Sequence, residues 1–370
     1  MPEPDCGEMG VIMKIGIIGT GIIAVTGHIP AYVELGHEII AVADIAPGRA
    51  EKFSKEWRIP YFFEDYKELL SLTEIEAVSI CVPTYLHEQV AVDAMNAGKH
   101  VFLEKPPAFD EAGIRHIYET AQKTGRILLV GSNTVYHNQY QIAKEFVDSG
   151  RLGEVYSVKI NRTQRREIPG GWLARKDLSR GFAITEGVTH NLDCILFMLG
   201  EPKPVSVTCV TYNMFSNYVP ETYKYPIDAV ESQKEDKPKE TEDGVVALIT
   251  LEGGRTILVE CFRASNAEKS YNIMLYGDKA GLKLDLKQIY WENKEGGLTL
   301  YEEPQHGVFT EAELEFKSGK RNHVNAISHF IDCVKRGEQT LSNGERAITI
   351  MKIIDAMFLS AEQHGRQVIL

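Results

Sequence analysis

The chain has few of the features that mark secreted, disulfide-linked or metal-binding proteins. Its six cysteines lie far apart in the sequence, at Cys6, Cys81, Cys194, Cys209, Cys261 and Cys333. They form no CxxC pair, so neither a disulfide framework nor a metal site is predicted, and reduced thiols in the cytoplasm are expected. Residues 1–12 are acidic and lack a basic start and a long apolar core, so they do not predict a signal peptide.

Positive charge and long apolar runs are also scarce. The chain has 40 Lys and Arg against 52 Asp and Glu, a formal net charge of -12, which argues against a nucleic-acid surface. No apolar run approaches the roughly 20 residues of a membrane-spanning helix. The 370 residues, 44% of them hydrophobic, suffice for two ordinary domains with cores. This composition predicts a cytoplasmic enzyme of small molecules.

The most informative segment comes near the start, where an apolar run, 13–18, leads into Gly19-Thr20-Gly21-Ile22-Ile23-Ala24. In a dinucleotide site the first glycine allows a tight turn, the second lets the backbone approach a pyrophosphate, and a small residue packs the helix on its strand. A second apolar run ends at Asp44, where a carboxylate would accept hydrogen bonds from the adenosine ribose. The predicted cofactor contacts here are Gly19, Thr20, Gly21, Ile22, Ile23 and Asp44.

Asp44 also predicts which cofactor is used. Its charge would repel a ribose 2'-phosphate, and Ile45 and Ala46 supply no arginine beside it, so NAD is favoured over NADP. Arg49 is the nearby cation that would weaken this preference.

From residue 13 to about 130, apolar strands alternate with amphipathic helices, which is typical of a doubly wound parallel sheet. The predicted strands are 14–18, 38–43, 77–81, 100–103 and 127–131, and the predicted helices are 21–35, 48–56, 64–71, 86–97 and 110–124. We therefore predict a nucleotide-binding domain at 13–132 and a second α/β domain at 133–370.

The second domain has strand-like runs that favour antiparallel pairing. They lie at 154–163, 204–212, 244–251, 255–263 and 271–276, with Gly253-Gly254 as a hairpin turn. Helices are predicted at 138–149, 323–336 and 344–363. The polar stretch 213–243 is predicted to be a solvated loop or a mobile excursion rather than a binding tail. From it Tyr223 and Tyr225 could reach a site or a partner subunit.

Two groups of residues suggest catalysis. Lys105 follows a strand of the parallel sheet, where ligands bind beyond the carboxyl ends, although a surface lysine in a Pro-bounded turn explains it equally well. Glu186, His190 and Asp193 are spaced i, i+4, i+7 and share one helix face. Acids flanking a histidine would orient the ring and stabilise its protonated form. The alternative is an ordinary exposed polar face.

Several further segments, taken together, favour the catalytic interpretation of these residues. They are Val82-Pro83-Thr84-Tyr85-Leu86-His87, Ala97-Gly98-Lys99-His100-Val101-Phe102-Leu103-Glu104-Lys105-Pro106, Ser149-Gly150-Arg151-Leu152-Gly153-Glu154-Val155, Glu242-Asp243 and Tyr276-Gly277-Asp278-Lys279-Ala280-Gly281. With the glycine turn and the segment 186–193, they resemble the glucose-fructose oxidoreductase, inositol dehydrogenase and rhizopine catabolism (Gfo/Idh/MocA) family. The resemblance runs from about 13 to 365.

The resemblance implies an N-terminal Rossmann domain and a C-terminal α/β domain with a large, open-faced, mostly antiparallel sheet. It implies a homodimer or homotetramer formed through that sheet. His190 would take a proton from a substrate hydroxyl, Lys105 would hold that hydroxyl, and Asp193 would orient substrate or ring. Besides the glycine turn and Asp44, the implied cofactor contacts are Val82, Pro83, Thr84, His87, Glu104 and Lys105.

Three departures from the family pattern concern the substrate side. Glu186 replaces the usual Asp and is one methylene longer, which would displace its carboxylate. Tyr136 and His137 stand in a segment that differs from the family. Arg180 stands where glycine is common and would either pair with an anionic substrate or lie in solvent. Trp172 and Arg175 belong to a region that covers cofactor or sugar in the family, although a tryptophan in the core is equally sensible.

The sequence thus predicts an NAD-dependent oxidoreductase that acts on a secondary alcohol or carbonyl of a sugar, sugar acid or cyclitol. Two alternatives stay open. One is a glycosidase that retains NAD and oxidises the sugar only transiently. The other is a sugar-responsive regulator that binds a dinucleotide without turnover, although such a binder would need neither Lys105 nor His190.

Overall fold

The first part of the chain folds into alternating strands and helices, as its hydrophobic pattern predicts. The computed structural model describes residues 12–131, 133–219, 238–286, 297–315 and 322–370. Six parallel strands form the first sheet in the order β3-β2-β1-β4-β5-β6. They are β1 (Lys14–Ile18), β2 (Glu38–Ala43), β3 (Tyr61–Phe63), β4 (Ala77–Ile80), β5 (His100–Glu104) and β6 (Leu128–Gly131). The order reverses between β1 and β4, so a crevice opens there beyond the carboxyl ends of the strands.

The five strands predicted for this sheet are confirmed to within one residue. The sequence does not predict β3, because it is only three residues long, lies at the sheet edge and exposes Tyr61 and Phe62. An exposed edge strand carries no alternation of buried and polar positions, which is the signal that predicts a strand.

Five helices cover the first sheet. They are α1 (Ile29–Glu34), α2 (Arg49–Trp57), α3 (Tyr66–Ser71), α4 (His87–Asn96) and α5 (Glu111–Thr124). The helix predicted at 21–35 is only partly regular, because a π-turn, Ala24–His28, precedes α1. Pro30 has no N–H to donate to the preceding turn, which accounts for the change to i→i+5 bonding there.

The second sheet has nine strands in the order β14-β13-β12-β11-β7-β10-β9-β8-β15. They are β7 (Val155–Thr163), β8 (Pro204–Tyr212), β9 (Gly244–Leu251), β10 (Thr256–Phe262), β11 (Ser270–Gly277), β12 (Ala280–Asp285), β13 (Gly297–Gln305), β14 (Val308–Glu313) and β15 (Val368–Ile369). All neighbours pair antiparallel except β7 and β10. The predicted mostly antiparallel sheet is confirmed, and Gly253 and Gly254, both at positive φ, make the predicted hairpin turn.

One face of this sheet is covered and the other is open. The later helices are α6 (Asn138–Asp148), α7 (Lys176–Ser179), α8 (Thr189–Met198), α9 (Asn322–Arg336) and α10 (Gly344–Glu362). Helix α10 packs against both β8 and α5, and so joins the second sheet to the first. Inward residues such as Val259 are fully buried, whereas Leu248, Leu258 and Tyr276 stay exposed on the open face.

The polar stretch 213–243 is not simply a solvated loop. Residues 220–237, which include Tyr223 and Tyr225, lie outside the described part of the chain. At its far end Thr241, Glu242 and Asp243 are all at most 5% exposed. The polarity of these three side chains predicts exposure to solvent, but backbone N–H groups and a carbonyl oxygen satisfy them inside the protein.

No helix in the described ranges is both long enough and apolar enough to cross a membrane. The domain boundary near 132 stays a prediction, and residue 132 itself lies outside the described part.

A buried arginine ties the start of α10 to α8. The Arg346 side chain is 2% exposed, and its Nε donates to Asp193 Oδ1 at 2.6 Å while Nη1 donates to Glu201 at 2.7 Å. Nη2 donates to the carbonyl oxygen of Leu341. Despite the cost of burial, these two carboxylates raise the pKa of Arg346 above its ordinary value, so the charge persists in the interior.

We predict that Arg346→Met destabilises the protein by about 3–5 kcal/mol, because Asp193 is left as a buried charge without its partner. The matched control is Arg115→Met, which breaks an exposed pair with Glu111 and costs about 0.5 kcal/mol or less. Urea unfolding followed by circular dichroism measures both. Equal losses in the two variants would contradict the structural role of Arg346.

Candidate active site

The glycine turn after β1 has the geometry of a dinucleotide site. Gly19 has a φ of 88°, a conformation that residues with a Cβ rarely adopt. A Cβ there would lie 2.6 Å from the carbonyl oxygen of Cys81, whereas a Cβ at Gly21 would meet one atom within 4 Å. Ala24 is fully buried. The turn therefore passes tightly over the end of β4 and leaves room beside Gly21, where a pyrophosphate would approach.

Asp44 closes this turn from the end of β2. Its Oδ2 accepts hydrogen bonds from the backbone N–H and the hydroxyl of Thr20, at 2.9 and 2.7 Å, and its Oδ1 accepts from Ala46 N–H at 3.0 Å. Arg49 Nε lies 3.6 Å from the same carboxylate. The arginine that the sequence places only nearby is thus in ion-pair range of Asp44, at the end of the site where the adenosine ribose would bind.

The buried side chain of His87 supports the turn that follows β4. Thr84 and His87 are both buried, while Val82 and Pro83 are half-buried. The two ring nitrogens of His87 lie 2.8 Å from the carbonyl oxygen of Val82 and 2.7 Å from that of Pro106. Burial lowers the pKa of His87. The structure therefore gives this predicted cofactor contact a supporting position between two loops.

Lys105 and Glu186 form an ion pair across the crevice. Lys105 directly follows β5, and Glu186 lies in a second π-turn, Ala183–Val188, that leads into α8. Both side chains are less than a fifth exposed. The longer side chain of Glu186 does not prevent contact, because the carboxylate reaches the ammonium directly.

His190 lies on the next turn of the same segment. Burial lowers the pKa of His190 well below its ordinary value, and the positive charges of Lys105, Arg162, His323 and Arg263 lower it further. Its Nδ1 is buried without a hydrogen-bond partner among the residues that the structure describes. His190 is therefore a neutral imidazole at neutral pH, able to accept a proton.

The expectation that flanking acids orient His190 and stabilise its protonated form is wrong. Glu186 pairs with Lys105, and Asp193, 3% exposed, pairs with Arg346. The π-turn adds a residue to the helical repeat, so the i, i+4, i+7 spacing that assumes 3.6 residues per turn does not hold. Asp193 and Lys105 do line one small common cavity, together with Thr189 and Pro107.

A buried carboxylate organises the π-turn that carries Glu186. Glu242 Oε1 accepts the N–H groups of Phe182 at 3.0 Å and Ile184 at 2.9 Å. A Cβ on Gly181 would lie 2.6 Å from that oxygen, so the chain approaches Glu242 more closely than another residue would allow. Burial raises the pKa of Glu242. The sequence marks Glu242 only as part of a short motif and does not suggest this supporting role.

The segment that contains Trp172 and Arg175 crosses toward the cofactor turn. Trp172 is half-buried in a short helix, Gly171–Ala174, and α7 packs against the turn Thr84–Leu86. The Thr241 hydroxyl donates to the carbonyl oxygen of Leu173 at 3.0 Å. The Arg175 guanidinium is exposed and binds Asp177 at 2.6 and 3.1 Å, so the structure does not direct it into the crevice.

The remaining candidates for substrate contact are placed differently from the prediction. Tyr136 is 7% exposed, with its ring 5.3 Å from that of His329, so it belongs to the packing rather than to an open surface. His137 is half-buried, and burial lowers its pKa. Arg180 neither lies in solvent nor faces an open anion site: it pairs with Asp355 of α10 and donates to the carbonyl oxygen of Phe109 at 2.7 Å.

Sequence reasoning missed two histidines that approach the predicted cofactor contact Glu104. His28 Nε2 lies 2.8 Å from Glu104 Oε1, and His323 Nε2 lies 3.9 Å from the same oxygen. The sequence does contain a signal for His28, because this histidine lies within the apolar pattern of 21–35. His323 has no comparable signal, because it joins the cluster through the packing of α9 against α1 and the π-turn Ala24–His28.

Comparison with known proteins covers nearly the whole chain. Residues 13–132 match the family model described as "Oxidoreductase family, NAD-binding Rossmann fold" (GFO_IDH_MocA), and residues 144–370 match its "C-terminal alpha/beta domain". The chain is 26% identical over 367 residues to D-glucoside 3-dehydrogenase of Escherichia coli (strain K12), covering 96% of this chain and 97% of that one. It is 23% identical over 357 residues to inositol 2-dehydrogenase of Rhizobium meliloti (strain 1021), covering 95% and 97%.

Solved structures share the fold at lower identity. Levoglucosan dehydrogenase in complex with NADH and levoglucosan aligns with a TM-score of 0.81 at 17% identity, covering 97% of this chain and 99% of that one. Aldose-aldose oxidoreductase from Caulobacter crescentus, in complex with glycerol, aligns with a TM-score of 0.80 at 21% identity, covering 97% and 100%.

We predict that Gly19→Ala weakens dinucleotide binding about tenfold or more, because the new methyl would strike the Cys81 carbonyl and shift the turn. Gly36→Ala is the matched control, since Gly36 also has a positive φ but no atom within 4 Å of a built Cβ. Calorimetric titration with NAD measures both. Equal affinities in the two variants would show that the turn does not form the binding site.

Proposed function

Because the chain belongs to the Gfo/Idh/MocA family of NAD-binding oxidoreductases, we propose that it transfers hydride between nicotinamide and a secondary alcohol or carbonyl of a sugar, sugar acid or cyclitol. The observation that carries the proposal is the convergence of the Lys105–Glu186 pair and the neutral His190 at the carboxyl ends of the parallel strands. Lys105 follows β5, whose neighbour β4 borders the strand-order reversal, where such sheets bind their ligands.

The chemistry divides between proton removal and hydride removal. Bound NAD supplies the hydride acceptor. His190, kept neutral by burial and by the cations around it, takes the hydroxyl proton. Lys105, fixed by Glu186, donates a hydrogen bond to the same oxygen and stabilises the charge that develops there. Trp172, half-buried in the segment above the cofactor turn, offers an apolar surface to a sugar ring.

NAD is the proposed cofactor because Asp44 occupies the ribose end of the site. Its carboxylate would repel a 2'-phosphate. Arg49, 3.6 Å away, reduces this discrimination, so we propose a preference for NAD with residual use of NADP.

The first test is the absorbance of reduced nicotinamide with NAD, and separately with NADP, against a panel of cyclitols, aldoses, uronic acids and glycosides. We expect reduction of NAD by one of these classes, and slower reduction of NADP by the same class. Glycoside cleavage with no net reduction would identify a glycosidase that retains its cofactor. Dinucleotide binding with neither reaction would identify a regulator, and either result would contradict the proposal.

We predict that His190→Ala lowers kcat by about 10²–10⁴, the range contributed by a general base, and leaves NAD affinity unchanged. Because the pKa of His190 lies well below its ordinary value, it stays deprotonated as the pH falls through 6.5. The wild-type kcat/KM for alcohol oxidation should therefore not drop by half near pH 6.5, as it would with an unperturbed histidine.

His116→Ala is the control for this prediction, because His116 lies on the surface beside Glu88, with its side chain 57% exposed. Steady-state kinetics from pH 5.5 to 8 distinguishes the cases. Full activity in His190→Ala, or an inflection near pH 6.5 that disappears with it, would contradict the role or the charge state of His190.

We also propose that the open face of the second sheet joins subunits in a homodimer or homotetramer. Leu248 and Leu258 are exposed on the adjacent strands β9 and β10, and Tyr276 is exposed on β11, two strands from β10. Apolar side chains exposed on a sheet face favour a protein partner.

We predict that Leu258→Glu disrupts the assembly, because it replaces an exposed apolar side chain, opposite Leu248 on the adjacent strand, with a charge. Val33→Glu is the control, since Val33 is 59% exposed but lies on helix α1, away from the second sheet. Sedimentation velocity at micromolar concentration should show an oligomer for the wild type and for Val33→Glu, and a smaller species for Leu258→Glu. A monomeric wild type would rule the interface out.

A further inference from the structure

Glu104 is a buried carboxylate at the last position of β5. It is 7% exposed, and its two oxygens face different partners. Oε1 lies 2.8 Å from His28 Nε2, while Oε2 accepts the backbone N–H of Lys105 at 3.2 Å. On the neighbouring strand β6, a Cβ built on Gly131 would lie 3.2 Å from Glu104 Cδ. The carboxylate is therefore enclosed and has little freedom to move.

The groups around Glu104 come from separate parts of the fold. His28 belongs to the π-turn that follows the glycine turn, and its Nδ1 lies 3.0 Å from the Ser79 hydroxyl. Tyr32 lies 2.9 Å from the same hydroxyl. His323 comes from α9, and its Nε2 lies 2.8 Å from the Asn133 side-chain nitrogen. Hydrogen bonds of His28 therefore join the π-turn to Ser79 of β4 and to Glu104 of β5, and His323 of α9 approaches Glu104 to 3.9 Å.

This environment keeps Glu104 negatively charged. Burial alone would raise the pKa of its carboxyl, but the hydrogen bond and charge of His28, together with His323 and Lys105, bring the pKa below its ordinary value. In a site with reduced solvent access such a charge acts over several ångströms, and the neighbouring charges of His28, His323 and Lys105 oppose its field.

The Glu104 carboxylate lies close to the crevice in which the cofactor is proposed to bind. Glu104 ends β5 and immediately precedes Lys105, and β5 neighbours the strand that borders the crevice. The nicotinamide ring carries a positive charge in NAD and none in NADH. A fixed carboxylate beside the ring would therefore favour the oxidised cofactor.

We infer that Glu104, held in place by His28 and His323, makes this site bind NAD more tightly relative to NADH and so biases the protein toward its oxidised cofactor. The inference rests on the proposed function, because it assigns a charge in the same nicotinamide site. In this role Glu104 acts on the cofactor through electrostatics and makes no contact with the substrate.

The test compares the dissociation constants of NAD and NADH in the wild type, Glu104→Gln and Glu104→Asp. The glutamine keeps the size of the side chain and removes its charge, so we expect NAD affinity to fall about tenfold while NADH affinity changes by less than about threefold. The aspartate keeps the charge, so both affinities should change together and their ratio should stay within about threefold of the wild type.

Glu88→Gln is the control, since Glu88 is an exposed carboxylate paired with His116, and its ratio should be unchanged. Calorimetry for NAD and fluorescence titration for NADH give the values without turnover. A Glu104→Gln variant that loses both affinities equally, or that keeps the wild-type ratio, would overturn the inference. A wild type that binds neither nucleotide would overturn the proposed function itself.

A second explanation of this cluster is that it binds a metal ion, and metal analysis of the purified wild type tests it. Among the described residues, His28, Glu104 and His323 are the group whose ligand atoms, all within 4.8 Å of one another, could hold a metal ion. We expect no stoichiometric metal, because hydrogen bonds already satisfy both ring nitrogens of His28. One equivalent of metal, lost in Glu104→Gln, would replace the electrostatic role with a metal site.

Discussion

The contact on which the candidate site depends is the ion pair between Lys105 and Glu186. Lys105 follows a strand of the parallel sheet, while Glu186 lies in the π-turn that leads into α8. The pair therefore joins two separately built parts of the chain across the crevice. Because both side chains are mostly buried, separating them would leave charged groups with neither water nor partner. The ion pair therefore fixes the distance between these two parts of the chain at the place where the chemistry is proposed to occur.

Other charged groups stabilise the same arrangement from farther away. Arg180 binds Asp355 of α10, and Arg346 at the start of α10 binds Asp193 of α8. Glu242 receives two backbone N–H groups from the entry to the π-turn. Of these groups, Asp193 and Arg180 look in the sequence like an acid and a base that could meet a substrate. Their partners, Arg346 and Asp355, are distant in sequence, which is why pattern alone does not reveal the two ion pairs.

The sequence predicts most of the fold and proposes the residues of the candidate site, and the reasons for its failures are physical. Apolar periodicity locates the buried strands, and the glycine turn with Asp44 locates the crevice. Periodicity cannot show the π-turn at Ala183–Val188, so the assumed shared face of Glu186, His190 and Asp193 gives the wrong partners. Polarity also mistakes the buried residues 241–243 for solvated ones, because it does not register which backbone donors they satisfy.

The charges in the crevice have to meet two opposite demands. A histidine that is to accept a proton has to start deprotonated, and burial, followed by the charges of Lys105 and Arg162, favours that state of His190. A cationic nicotinamide requires the opposite charge nearby, which Glu104 would supply. Both demands can be met in one crevice only if the charges cannot move toward each other. Lys105 is paired with Glu186 and Glu104 with His28, so each charge is fixed by its own partner before any ligand arrives.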